Sequence, residues 1–325
     1  MTKSLPFGID LKGLSFDLLP QGQREHMPMV VLKFESTGGV VDWASTRWWR
    51  TTYGEGIRLE PASAILNYGG PSLIEGLKLF RMSDGQYAMF CPEKNAERLS
   101  CGAGVFRMPA IPTEVTMWGL TLLSRMFIEM ESEVIPACGE GSIYFRPIYF
   151  RSGSKLGLGH PVHEYTLAIY GTPVGEYFSG GFTGQNMLVS MRDVRAGIGG
   201  TGHTKAGSNY PLHVGLLEVA HAHGFAEILY TDAETHLNVD ELGAGNFGCI
   251  GSDGTIYTPT LARGTILPGV TREWMIREAR AMGHFVLSNR EVSLDFLRQC
   301  KAVFFMGTAA GVIPCNTLNG DQFDR

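Results

Sequence analysis

Lys205 stands in the run Gly197-Ile198-Gly199-Gly200-Thr201-Gly202-His203-Thr204-Lys205-Ala206-Gly207, with no charged neighbour and just ahead of a helical pattern. Most lysines decorate solvated faces, and a single lysine is ordinarily read that way. On a glycine-built loop, however, an amine can be held against a ligand and desolvated, which lowers its pKa and makes it a Schiff-base nucleophile. Spacing alone does not decide between the two readings. Downstream, Val239-Asp240-Glu241-Leu242-Gly243-Ala244-Gly245-Asn246 sets a carboxylate beside a second glycine-rich segment. This is either a turn with solvated acids or a buried glutamate that holds a cationic ring nitrogen.

Ile266-Leu267-Pro268-Gly269-Val270-Thr271-Arg272 runs into a strong helical pattern. Its Gly-Val-Thr amides would lie at the positive end of the helix dipole, where a phosphate binds well. A plain helix cap accounts for the same residues. Gly307-Thr308-Ala309-Ala310-Gly311, after Ala302-Val303-Phe304-Phe305-Met306, makes another small-residue turn with exposed amides. An amine for an aldehyde, an acid for a pyridine nitrogen, and amides with an arginine for a phosphate together suit pyridoxal 5'-phosphate.

Other chemistries fit less well. Gly197 to Gly202 satisfies G-x-G-x-x-G, but Met191-Arg192-Asp193-Val194-Arg195-Ala196 is not an apolar strand and no helix begins at Gly202. No lysine follows Gly202 directly, so the loop is not a Walker loop either. His160, His163, His221 and His223 lack the carboxylate and cysteine company of a metal site and read as surface or core histidines. No metal is expected. The cysteines, Cys91, Cys101, Cys138, Cys249, Cys300 and Cys315, are scattered without a C-x-x-C, which argues against a disulfide scaffold or structural zinc.

These residues need elements to position them. Strands are expected at 28–34, 86–91, 142–150, 164–171, 186–190, 226–230, 246–250, 254–258, 284–287 and 302–306, and helices at 95–107, 115–132, 211–223 and 271–282. Pro211 near a helix start, and Gly224 and Gly283 after helix ends, punctuate the pattern. Residues 171–184, rich in Gly, Ser, Thr and Pro, read as a linker. The organisation expected is a small domain over 1–174, an interdomain loop over 175–190 and a larger cofactor-binding domain over 191–325. Many short strands with few helices in the second half favour α+β over a doubly wound parallel sheet.

Composition agrees with an enzyme-like globular chain. Lys and Arg number 27 against 32 Asp and Glu, a net charge of −5, which argues against nucleic acid or an anionic membrane as the main partner. Charged residues are 18% and hydrophobic ones 44%, so a disordered chain is excluded. Glycine stands at 42 of 325 residues, nearly twice the ordinary usage of about 7%, without a collagen period. The opening residues 1–16 carry no continuous apolar region, and no stretch approaches the apolar run of about 18 that a membrane span needs. A reduced cytoplasmic protein is therefore expected, or a mitochondrial matrix protein if a presequence was removed.

The sequence resembles the branched-chain amino-acid aminotransferases, fold-type IV pyridoxal-phosphate enzymes, from about Met29 to Asn319. The resemblance rests on motifs in family order: Asn67-Tyr68-Gly69, Glu75-Gly76-Leu77-Lys78-Leu79-Phe80, Asn95-Ala96-Glu97-Arg98 and Tyr144-Phe145-Arg146-Pro147. Gly199-Gly200-Thr201-Gly202 with Lys205 and Asn209-Tyr210, then Glu241-Leu242-Gly243 with Asn246-Phe247, the ILPGVTR run and Gly307-Thr308-Ala309-Ala310 complete it. It implies an α+β fold, with a small N-terminal α/β domain and a larger C-terminal domain around a mostly β pseudo-barrel.

The resemblance also implies roles. Lys205 would bond the cofactor and shuttle the proton at the substrate Cα. Glu241 would keep the pyridine nitrogen protonated, and Tyr210 would donate to the phenolic oxygen. Arg98, Thr308 and the amides of Val270 and Thr271 would hold the phosphate. Tyr68, Ile74, Gly76, Tyr144, Arg146, Ala244 and Ala309 would line the substrate side. Tyr144 and Arg146, two apart on a strand, would share a face. The family is a dimer, and Leu156 would reach the partner's pocket.

Three departures stand out. Ile74 replaces a bulky Phe before Glu75-Gly76; Ala244-Gly245 replaces a bulkier pair and would open room near the cofactor; and the chain stops soon after the Gly-Thr-Ala turn, so looser closure of the second domain is expected. The leading function is transfer of the amino group of a branched-chain or other hydrophobic L-amino acid to 2-oxoglutarate by a ping-pong route. The alternatives are a transaminase or lyase for a specialised amino acid, and a non-catalytic homologue that binds without turnover.

Overall fold

The computed structural model describes residues 21–130, 134–156, 163–178, 183–319 and 321–322. The expectations for residues 1–16, for Gly157 and Leu158 beside Leu156, for His160, for the end of the linker at 179–182 and for 323–325 lie outside the described residues. The chain divides into two compact units, 1–179 and 180–325. By residue span the second unit, expected as the larger, is the shorter.

The described part of the first unit opens on a short helix, α1 (Gln21–Arg24), and is built on an antiparallel sheet. Its strands are β1 (Pro28–Glu35), β2 (Trp48–Thr52), β3 (Ser72–Ile74), β4 (Leu77–Arg81), β5 (Tyr87–Met89), β6 (Ser142–Arg151) and β7 (Glu164–Val174), in the order β2-β1-β7-β6-β4-β5 with β3 also on β6. The helices are α2 (Ala64–Tyr68), α3 (Pro92–Val105) and α4 (Thr113–Glu129). Strand β7 runs to Val174, so the expected linker begins later than its composition suggests.

The two faces of β6 differ. Ile143, Phe145 and Tyr149 pack with residues of α3 and α4, such as Leu99, Leu123 and Phe127, in the apolar core. Full burial of such side chains contributes about 1.5–3 kcal/mol each. By contrast, Arg50–Glu129, both more than half exposed, adds at most about 1 kcal/mol. Strand alternation leaves Tyr144 and Arg146 on the opposite face, with Lys78, Thr172 and Tyr170 beside them by register.

Close packing in this core sets a first prediction. A Cβ at Gly119 of α4 would overlap the Trp48 ring. Gly119→Ala should therefore cost about 1–3 kcal/mol despite its better helix propensity, read as a lower urea midpoint. An unchanged or raised midpoint contradicts this.

The second unit is a closed barrel. Its strands are β8 (Gln185–Ser190), β9 (Glu227–Thr231), β10 (Val239–Leu242), β11 (Asn246–Gly251), β12 (Ile256–Tyr257), β13 (Val286–Leu287), β14 (Cys300–Gly307), β15 (Gly311–Leu318) and β16 (Asp321–Gln322). The order β10-β9-β8-β15-β14-β11 returns to its start because β10 also pairs β11. The expected looser closure is not seen. Met187, Leu229, Leu242, Phe247, Val303, Phe305, Cys315 and Leu318 line an interior with about 10 Å³ of free space, so the barrel is a packed core and not a channel. The helices are α5 (Pro211–Ala222), α6 (Val270–Ala281) and α7 (Leu294–Leu297). No helix among the described residues is long and apolar enough to cross a membrane.

Candidate active site

The glycine-rich loop before α5 is held by Asn209. Its Nδ2 donates to the carbonyls of Thr201 and Thr204, each at 2.9 Å, and its Oδ1 accepts from the Thr201 hydroxyl at 2.6 Å. Gly202 has to be glycine, because any side chain there would overlap the Thr265 carbonyl. So braced, the loop aims Lys205 Nζ at Tyr210 Oη, to which it donates at 2.9 Å. Burial pushes the Tyr210 hydroxyl up, but the charge and hydrogen bond of Lys205, with Arg195 adding, outweigh it and leave the group below the ordinary tyrosine value. A lysine and an acidified phenol in contact make a pair that can exchange or share a proton.

Glu241 lies on β10 next to the interior-facing Leu242, so alternation turns it to the outside of the barrel. It is 2% exposed. Its Oε1 lies 2.7 Å from Arg195 Nη1 and accepts the Leu267 amide at 2.8 Å, while Oε2 accepts Asn246 Nδ2 at 2.8 Å. Burial raises this carboxyl to about 7, against the pull of the Arg195 guanidinium and the Leu267 amide. A carboxylate has about four lone-pair positions, so these donors leave one for a protonated ring nitrogen. The charges of Lys205 and Arg195 both act on Glu241, which places all three in one electrostatic neighbourhood.

Two backbone features flank this cluster. Helix α6 begins at Val270 after Gly269, with no side-chain cap on its first amides. Thr308 and Ala309 form the turn that joins β14 to β15. Asn246 ties the first feature to Glu241, since its Nδ2 also donates to the Leu267 carbonyl at 2.8 Å. Gly245 does not open room: a Cβ there would stand 2.6 Å from the Met306 carbonyl. That space is filled, which corrects the expectation drawn from the small Ala244-Gly245 pair.

In the first unit a second polar cluster forms at the β3–β4 junction. Glu75 is 1% exposed and accepts Arg98 Nε on Oε1 and Arg98 Nη2 on Oε2, both at 2.8 Å, with Asn95 Nδ2 also on Oε2 at 2.8 Å. The helical spacing of α3 sets Asn95 and Arg98 one turn apart, which lets both reach one carboxylate. Gly76 lies against the Tyr144 hydroxyl, where any Cβ would overlap it. Tyr144 Oη accepts Arg146 Nη2 at 3.0 Å, and the guanidinium carbon stands 5.2 Å from the Tyr144 ring centroid. Lys78, opposite Tyr144, is lowered by burial to about 8. This face suits a carboxylate. Tyr68 and Leu156 are exposed, at 47% and 66%, and Ile74 is half-buried.

Several residues escaped sequence reasoning. Arg195 carries no spacing signal, yet it is the cation nearest Glu241. Glu75, Asn95 and Asn246 were motif letters without a stated role. Cys249 and Cys300, far apart in sequence, lie on the neighbouring strands β11 and β14. Among the described residues no group of three or more His, Cys, Asp or Glu is placed to hold a metal ion.

A buried acid gives a pH prediction. Burial raises the Glu227 carboxyl to about 7 from an ordinary value of 4.5, although three backbone amides oppose the shift. Below pH 4.5 folded and unfolded forms are both protonated; above it only the unfolded form ionises, so this group lowers stability as pH rises towards 7. The unfolding free energy of Glu227→Gln should vary less between those limits than that of the unaltered protein. Identical pH slopes in urea titrations would contradict the assignment.

The chain matches the amino-transferase class IV family over residues 72–318. It is 39% identical over 262 residues to the mitochondrial branched-chain-amino-acid aminotransferase 1 of Arabidopsis thaliana, covering 81% of this chain and 66% of that protein. It is 35% identical over 268 residues to the branched-chain-amino-acid aminotransferase of Mycolicibacterium smegmatis, covering 79% and 71%. The chain spans between 61% and 66% of the length of three of the Arabidopsis relatives it matches. In fold it is similar to a branched-chain aminotransferase of Thermoproteus uzoniensis solved with norvaline, at a TM-score of 0.72 and 24% identity over 86% of this chain and 87% of that one. A similar likeness, at a TM-score of 0.69 and 23% identity over 90% and 86%, holds for a T.th. branched-chain amino acid aminotransferase complexed with N-(5'-phosphopyridoxyl)-L-glutamate.

Proposed function

This chain belongs to the class IV aminotransferases, and on that premise we propose that it moves the amino group of a branched-chain or other hydrophobic L-amino acid to 2-oxoglutarate, with pyridoxal 5'-phosphate as cofactor. The observation that carries the reading is the cluster of Lys205, Tyr210, Glu241 and Arg195, an amine beside an acidified phenol and a buried, cation-paired carboxylate. The relative solved with a phosphopyridoxyl-glutamate adduct supports both the cofactor and a dicarboxylate partner.

When bound, the cofactor supplies an electron sink for the charge left on the substrate Cα. The residues of the chain then divide the remaining work. Lys205 moves the proton at Cα, and its contact with Tyr210 keeps the amine oriented between transfers. Glu241 holds a proton at the ring nitrogen. Thr308 and the amides of Val270 and Thr271, all in the second unit, would hold the phosphate. Of the residues expected on the substrate side, those of the first unit, Tyr68, Ile74, Gly76, Tyr144 and Arg146, would offer a carboxylate the cationic face at Arg146, and Ala244 and Ala309 lie on turns of the second unit. Leu156, an exposed apolar side chain, would be covered by a second copy in a homodimer.

A half-reaction screen tests the function. Protein supplied with pyridoxal phosphate should lose its cofactor absorbance on addition of a hydrophobic L-amino acid and regain it with 2-oxoglutarate. Absence of a cofactor band overturns the reading. A keto product formed without any amino acceptor would mark a lyase.

A further inference from the structure

Glu227, at the start of β9, has no part in the roles above, yet it is 1% exposed. Its carboxyl accepts the Ile228 amide at 2.8 Å and feels the pull of the Gly243 and Ala244 amides, and Nε2 of His213 lies 3.4 Å away, while the Gly243 amide itself donates to the Ile228 carbonyl at 3.3 Å. Burial lowers His213 to about 4, with the charges of Arg195 and His221 adding to the effect, so the ring is neutral at pH 7. Its Nδ1 lies 3.0 Å from the Tyr230 hydroxyl, whose pKa burial raises. The ring thus shares a hydrogen bond with the Tyr230 hydroxyl through Nδ1 and turns Nε2 to Glu227.

The imidazole also packs on the next link. A Cβ at Gly243 would overlap the His213 ring, so the helix α5 side chain lies flat on the Gly243 backbone. Ala244, the next residue, presses its carbonyl on the neighbouring turn, since a Cβ at Gly307 would stand 3.0 Å from the Ala244 oxygen. A contiguous set of contacts thus runs from Glu227 and His213 through Gly243 and Ala244 to Gly307, where the turn bearing Thr308 and Ala309 begins. Glu241, on the same β10, is held by a separate set, Arg195, Asn246 and Leu267.

We propose that Glu227 and His213 are positioning residues which fix the Gly243–Ala244 turn against the Gly307–Ala309 turn and so hold the backbone that receives the amino-acid substrate. This rests on the aminotransferase reading above. Glu227→Gln keeps the volume but sets an NH₂ where donors converge, so the hold on the His213 imidazole that packs on the Gly243 backbone is weakened. The ring-nitrogen partner Glu241 is held independently and is left in place.

The test has an arm that needs no activity. In cofactor-free Glu227→Gln, amide hydrogen exchange at Gly243 and Ala244 should be about tenfold faster, the worth of one net hydrogen bond in the set that holds the turn, while the Leu267 amide and the β8–β9 amides other than Ile228 exchange as before. In the cofactor-loaded protein the KM for the amino-acid donor should rise about tenfold, with kcat and the cofactor absorbance changed less than about twofold. Unchanged exchange at Gly243 and Ala244, acceleration spread over the whole unit, or a fall in kcat at constant KM overturns the proposal. If Glu227→Gln does not fold, His213→Asn, too short to join Tyr230 to Glu227, must give the same local pattern. An unaltered protein that does not transaminate defeats the functional reading, and the exchange arm still decides whether these residues fix the turn.

Discussion

Lys205→Ala is expected to reduce turnover by at least about 10³-fold while leaving the fold intact. The side chain is half-buried, and its one described hydrogen bond goes to Tyr210, so its removal opens little of the core. The loss is chemical. No neighbour can replace the amine, because the adjacent basic group, Arg195, is committed to Glu241 and cannot give up a proton near neutral pH. The same variant has a spectroscopic companion. The charge and hydrogen bond that hold the Tyr210 hydroxyl down both come from Lys205, so its titration should move up when the lysine is gone. Steady-state rates and an ultraviolet titration read the two effects. Retention of more than about a tenth of the turnover with a folded protein would sink the assignment of Lys205 as the proton carrier.

Arg195→Met should be the most destabilising change at the cofactor cluster. Arg195 and Glu241 are 4% and 3% exposed with 2.7 Å between them. Removing one member of so enclosed a pair strands the other charge, at a typical cost of about 3–5 kcal/mol. Arg195 Nη1 also donates to the carbonyls of Gly202 and Thr265, at 3.3 and 3.1 Å, so the variant loosens the glycine loop as well. Without the guanidinium, burial is opposed mainly by the Leu267 amide and the charge of Lys205, and the Glu241 carboxyl rises further, so it keeps its proton and holds a protonated ring nitrogen less well. Urea denaturation and cofactor affinity at pH 7 measure the two consequences. Arg195→Lys should recover part of both, because the three contacts all come from Nη1 and an ammonium carries three donors, though on a shorter side chain. A stability loss below about 1 kcal/mol would mean that the pair behaves like an exposed one.

Much of this architecture is legible in the sequence because it is local. Strands β1, β6 and β7 are long apolar runs, and α3 to α6 carry helical spacing closed by glycines at 224 and 283. The missed elements are those whose local signal conflicts with their tertiary setting. Strand β15 contains Pro314, which ordinarily counts against a strand, yet pairing with β14 on one side and β8 on the other holds it. Strand β10 reads as a turn because its acids, Asp240 and Glu241, look solvated until the barrel and the 265–267 segment bury them.

The candidate site divides in the same way. Lys205, Tyr210 and Glu241 were approachable because glycines isolate them or family motifs contain them. Arg195 and Glu227 were not, because a buried charge and a solvated one look alike in a string of letters. Arg195 sits in a segment with Arg192 and Asp193, and Glu227 merely opens a strand. What distinguishes them is the set of backbone amides and carbonyls that converge on them from distant parts of the chain.

The ring of strands in the second unit has a consequence for how the protein is made. Strands β8 and β15 are neighbours, with Gln185 opposite Cys315 and Met187 opposite Leu318, although the chain between them carries the rest of the barrel. Lys205 and Glu241 therefore leave the ribosome well before the strand that completes the wall beside them. During synthesis β8 has an unpaired edge and the side chains of β9 and β11 wait for β15. Contacts of such sequence separation form slowly and expose apolar surface meanwhile. A nascent chain arrested before residue 311 should thus be a chaperone client that cannot yet retain a cofactor, and release of the last strand should convert it in one cooperative step.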